Sequence, residues 1–105
     1  MQLTILNRRV EKELLALGGE AQAALDRTME LMYRHGTYAL GLPHVRKLCG
    51  TPLWEIRLKD RRGIARVIFV ALAVEEIIVL HAFRKKTEKT PKQAIELALQ
   101  RLKEM

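Results

Sequence analysis

Two arginines carry the first chemical signal in the sequence. Asp60-Arg61-Arg62-Gly63 has aspartate first and glycine fourth, the residue choice of a tight turn. A hairpin closed there sets Arg57 directly across from Arg66, with both side chains leaving one face of the sheet. Like charges in that position repel, so something must offset them. A phosphate would do so, because a guanidinium group matches its oxygens two at a time. An internal acid such as Glu55 would do so as well. Further cations extend the pattern. Arg46 and Lys47 precede the hairpin, Arg84-Lys85-Lys86 follows the next strand, and Lys89 and Lys92 continue the run.

The charge distribution agrees. The chain of 105 residues has 19 Lys and Arg against 12 Asp and Glu, a net charge of +7. Residues 41–66 hold seven of the basic side chains and two of the acidic ones. A local excess of this kind makes a positive patch, whose usual partner is nucleic acid. Signatures of other chemistry are missing. There is no Walker loop, GxGxxG, HExxH, CxxC or GxSxG. His35, His44 and His81 lack metal-ligand spacing, so no metal is expected. His81, inside a strand, reads as a structural histidine before a catalytic one, Trp54 as a core anchor, and the single Cys49 as a half-buried bystander.

These residues need a scaffold. Gln2 to Leu6 suits an edge strand, and Asn7 suits a helix cap. Val10, Leu14, Leu15 and Leu17 follow a roughly helical period up to Gly18-Gly19, and a second helix is expected from about Glu20 to His35, stopped by Gly36. The two helices read as a hairpin. Leu53 to Lys59 alternates, with Trp54, Ile56 and Leu58 facing inward and the charged residues outward. Ile64–Leu72 and Ile77–Phe83 read as strands covered on both faces, with a turn at Glu75-Glu76. Thr90 and Pro91 suit a helix cap and first turn, ahead of a stripe of Ala94, Ile95, Ala98, Leu99 and Leu102. The expected fold is α+β: a small antiparallel sheet, an N-terminal helical hairpin and a C-terminal helix, in one domain over residues 1–105. The longest apolar run, Val67 to Val74, falls far short of the roughly 20 residues that span a bilayer. One cysteine and no secretory leader point to the cytoplasm.

Several segments resemble a known family. Val45-Arg46-Lys47-Leu48, Trp54-Glu55-Ile56-Arg57, Arg66-Val67-Ile68-Phe69, Leu80-His81-Ala82-Phe83-Arg84-Lys85-Lys86-Thr87-Glu88-Lys89-Thr90-Pro91 and Ile95-Glu96-Leu97-Ala98 are similar to the HigB branch of the RelE/ParE toxin superfamily. Within it they look most like the phage-derived, Gp-type host-killing toxins. The resemblance implies a RelE-like fold and the toxin of a type II toxin–antitoxin pair. It implies a ribosome-dependent endoribonuclease that cuts messenger RNA in the A site and needs no cofactor. The implied partners are a helix-turn-helix, HigA-like antitoxin, the 70S ribosome with its messenger RNA, and operator DNA only through the antitoxin complex, with no membrane. Arg57, Arg66, Lys85 and Lys86 fall at the implied catalytic positions. Arg46, Lys47, His81, Arg84, Lys89 and Lys92 fall at the RNA-binding ones. Ala65 stands where many relatives carry tyrosine, and residues 92–105 hold neither tyrosine nor histidine, so the acid and the base are left unassigned. The alternatives are a gyrase inhibitor like the ParE branch and a catalytically weak nucleic-acid-binding protein.

Overall fold

The computed structural model describes residues 2–35, 44–73, 76–85 and 89–105. The expected stop at Gly36, Glu75 of the expected turn, and Lys86 lie outside them.

The chain opens with strand β1, Gln2–Ile5, followed by helix α1, Arg8–Ala16. Asn7 caps α1 as expected: its Oδ1 accepts from the Val10 N–H at 3.1 Å, an interaction worth about 1 kcal/mol. Gly18 ends the helix at φ +93°, where a side chain would be strained and would meet Arg62 Nη1 at 2.9 Å. Helix α2, Gly19–His35, follows at once. The sheet is built from β2, Val45–Lys47, β3, Leu53–Asp60, β4, Gly63–Ala73, and β5, Glu76–Arg84. Helix α3, Lys92–Lys103, closes the chain.

The strand order is β1-β5-β4-β3-β2. Neighbours from β2 to β5 are antiparallel, but β1 runs parallel to β5. The sheet is therefore mixed, not wholly antiparallel as the sequence pattern suggested. The reason is topological: β1 reaches its place by pairing with the last strand, so no hairpin fixes its direction.

Both faces of the sheet are covered. Val10 and Leu14 of α1, Leu17 at its C-cap, and Ala21, Leu25 and Met32 of α2 pack on Ile56, Leu58, Val67, Phe69 and Val79. Ala94 and Ala98 of α3 pack on Leu53, Ile68, Val70, Ile78 and Leu80 of the other face. The alternation in β3 thus assigns Ile56 and Leu58 correctly to the face under the helical pair. Trp54 is half-buried on that core. The opposite face is not open to water, however, because α3 lies over it. Glu55 is buried completely there. Alternation separates polar from apolar residues and does not say whether the polar ones are solvated. Thr90 does not cap α3 either. The cap position is Pro91, with no side-chain bond to it, and the Thr90 hydroxyl donates to Glu55 instead.

Candidate nucleic-acid interface

The β3–β4 hairpin has the register that the turn residues dictate: Asp60 pairs with Gly63, and Arg57 with Arg66. Asp60 Oδ1 accepts the Arg62 N–H at 2.9 Å, and Gly63 sits at φ +119°. Glu55 offsets the facing arginines. Its carboxylate accepts from Arg57 Nε at 2.9 Å and lies 3.7 Å from Arg66 Nη1. Arg46, opposite Glu55 on β2, brings its Nε to 3.7 Å. Arg66 Nη1 also donates to Thr90 Oγ1 at 3.4 Å. A carboxylate withdrawn from water persists only with such a full set of partners. Exposure separates the three arginines: the side chain is 48% exposed for Arg46, 20% for Arg57 and 0% for Arg66. Arg46 and Arg57 face outward far enough to meet a ligand, while Arg66 braces Glu55 from inside.

Two clefts flank the start of α3. The first, about 420 Å³, is lined by Arg46, Lys47, Leu48, Cys49, Lys89, Thr90 and Ile95. Two stretches of chain thus bring Arg46, Lys47 and Lys89 to one concavity. Cys49 is exposed there, not half-buried. Lys47 Nζ lies 5.9 Å over the Trp54 ring, at the outer limit of a cation–π contact. The second cleft, about 250 Å³, has His81, Phe83, Arg84 and Lys85 on one wall and Pro91, Gln93, Ala94 and Leu97 on the other. Lys92 stands exposed outside both clefts, 4.0 Å from Glu96.

Arg84 is anchored within the fold. It donates to Asp60 through two nitrogens, at 2.8 and 2.5 Å, and to the Leu17 carbonyl at 2.6 Å. Arg62 reaches the same carbonyl at 3.3 Å. Together they serve the unsatisfied, electronegative end of α1. The Arg84 hydrogen bond holds the Asp60 carboxyl below its usual range, and Asp60 raises the Arg84 pKa in return.

His81 belongs to another group. Its Nδ1 lies 2.8 Å from Glu13 Oε1, and its ring stacks on Phe83 with centroids 4.7 Å apart. Arg101 donates to both Glu13 oxygens, at 2.8 and 2.9 Å, and to the Leu80 carbonyl at 2.8 Å. The Ala82 N–H donates to Glu13 at 3.2 Å. Burial pushes the Glu13 carboxyl up, but the hydrogen bonds from Arg101, His81 and Ala82 outweigh it and hold it below its usual range. Sequence reasoning missed both Glu13 and Arg101. A signal existed: Glu13 lies within the apolar stripe Val10, Leu14, Leu17, and Arg101 extends the stripe Ala94, Ala98. A charge on a buried stripe requires a partner. Among the described residues, no group of His, Cys, Asp and Glu could hold a metal ion.

The family model described as phage derived protein Gp49-like (DUF891) matches residues 12–103. The chain belongs to this family. No curated protein matches the sequence. The Gp49-like match begins one residue before Glu13 and ends at the last residue of α3. It therefore spans the Glu55 cluster, both clefts and the Glu13–Arg101 pair, and leaves out β1 and the Asn7 cap. Among the described residues, no helix is long and apolar enough to cross a membrane.

Proposed function

We propose that this Gp49-like chain is the toxin of a type II toxin–antitoxin pair, a ribosome-dependent endoribonuclease that cuts messenger RNA in the A site. One observation carries the reading: Arg46 and Lys47 are joined by Lys89, more than 40 positions away in sequence, in lining one cleft beside the partly exposed Arg57. A track of cations at a concave surface suits a phosphate backbone. The β3 pairing fits it too, because Glu55 fixes the Arg57 guanidinium in place. A pre-oriented guanidinium stabilises the extra negative charge on phosphorus without reorganising as that charge builds. Arg46, Lys47 and Lys89 hold the backbone, and Arg57 faces the scissile region. Arg66 positions Glu55, and Lys85 serves the second cleft.

In this proposal an antitoxin with a helix-turn-helix domain neutralises the protein, and the site of action is the cytoplasm. Brief induction without a partner tests it. Growth and protein synthesis should stop, and new messenger-RNA 5′ ends should appear within translated codons only when ribosomes are present. Soluble expression with normal synthesis and no new ends would overturn the reading. A gyrase inhibitor would instead stop supercoiling and leave messenger RNA whole.

A further inference from the structure

His81 is held at one ring nitrogen and open at the other. Glu13 retains its charge, so its carboxylate offers acceptors only. The 2.8 Å contact therefore places the proton on His81 Nδ1, while Arg101 Nη1, 3.4 Å from the same nitrogen, directs its protons to Glu13 and the Leu80 carbonyl at 2.8 Å. In the neutral ring, Nε2 then carries the lone pair. Among the described residues Nε2 has no hydrogen-bond partner, and it is not sealed from solvent. The histidine lines the second cleft together with Lys85. Stacking on Phe83 fixes the ring plane.

The neighbours do not need His81 for their own stability. Arg101 already pairs with both oxygens of Glu13, and Leu80 and Ala82 complete the set. A carboxylate that sets the tautomer of an imidazole lining a cleft, with its second nitrogen unengaged by the described residues, is the arrangement of a general base.

We propose that His81 is the general base of the RNA cleavage, with Glu13 as its positioning residue and the second cleft as the seat of the reacting ribose. The inference rests on the ribonuclease reading above and requires the scissile phosphate to bridge from the second cleft to Arg57. Nε2 takes the proton of the ribose 2′-hydroxyl. The 2′-oxygen attacks the adjacent phosphorus, and the bond from phosphorus to the 5′-oxygen breaks. Lys85, on the same cleft, gives its proton to the departing 5′-oxygen. The products are a 2′,3′-cyclic phosphate and a 5′-hydroxyl end, and water exchange restores His81 and Lys85. The charged groups around His81 are Glu13 on α1, Arg101 on α3, and Arg84 and Lys85 at the end of β5.

The test measures single-turnover cleavage on ribosomes programmed with a short messenger RNA, across pH, for the wild type and His81→Asn. Asparagine keeps an N–H for Glu13 and removes the basic Nε2. Cleavage should fall on the order of 10²–10⁴-fold, with the melting temperature nearly unchanged, and the acidic limb of the wild-type pH–rate profile should disappear. A folded variant that cuts at the wild-type rate would overturn the assignment of His81 alone. A wild type that cuts no RNA would overturn the ribonuclease reading and this inference with it. If His81→Asn fails to fold, the wild type decides the matter. Nitrogen-15 spectra should show the Nδ1–H tautomer and a His81 titration that coincides with the acidic limb. A different tautomer, or a titration away from that limb, would overturn the proposal.

Discussion

Arg101 and Glu13, 88 positions apart, face each other across the open edge of β5 as a two-pronged ion pair. Strand β1 pairs with β5 only as far as Val79. Beyond that point the Leu80 carbonyl and the Ala82 N–H would be left without a strand. Arg101 takes the first and Glu13 the second. The pair thus completes a sheet edge with side chains and ties α1, on one face, to α3, on the other.

Removing one partner strands the other. Arg101→Ala should destabilise the fold by about 2–3 kcal/mol, a value reduced for the partial exposure of Glu13. Glu13→Leu with Arg101→Met together should cost less than the sum of the single changes. A double-mutant cycle in urea measures the coupling. Strictly additive effects would show that the two residues do not act as a pair.

Acid should expose the same pair. Glu13 and Asp60 both titrate below the ordinary carboxylate range when folded. Their stabilisation is therefore fully present above the unfolded values, near pH 4, and is lost as pH falls through the folded ones. The melting temperature should hold from neutral pH to about pH 5 and drop steeply below pH 4. Glu13→Gln should start lower and fall less over the same acidic range. A variant profile that runs parallel to that of the wild type would refute the linkage.

The sequence disclosed what local rules determine. Asp60 and Gly63 set the hairpin, and the hairpin set Arg57 against Arg66, as the structure has it. Asn7 and the apolar periods placed the helices for the same reason. What stayed hidden depends on distant partners. Nothing near Thr90 says that its hydroxyl serves Glu55, 35 positions away, and not the helix it precedes. Nothing near β1 says that it returns to β5. Arg84 looked like part of a basic loop because Asp60 and the end of α1 meet it only after folding.

The two facing arginines should behave differently. Arg66→Ala removes the fully buried cation beside Glu55, leaving Arg57 and the Thr90 hydroxyl to serve it, and should cost about 3 kcal/mol of stability. Arg57→Ala removes a partly exposed group. Its melting temperature should fall less, while cleavage drops on the order of 10²-fold, by analogy with loss of one oxyanion donor. Arg57→Lys should recover only part of that loss, because a point charge does not reproduce the planar fork. Thermal melts and cleavage rates on the same preparations separate these effects. If Arg57→Ala cuts at the wild-type rate, the stabiliser of the transition state lies elsewhere.

Binding should respond to salt in proportion to the cations engaged. Each phosphate neutralised on a single strand releases counterions and contributes about −0.7 to the slope of log affinity against log salt. Arg46, Lys47 and Lys89 share one cleft, so Ala at any one of them should weaken RNA binding and flatten that slope by about one contact. Lys92 stands outside both clefts beside Glu96, and Lys92→Ala should change the slope least. The measurement is a salt titration of a fluorescent single-stranded RNA for the wild type and the four variants. Equal effects at all four positions would mean that general surface charge, and not the cleft, holds the RNA. A wild-type affinity independent of salt would remove the cation track as the binding face.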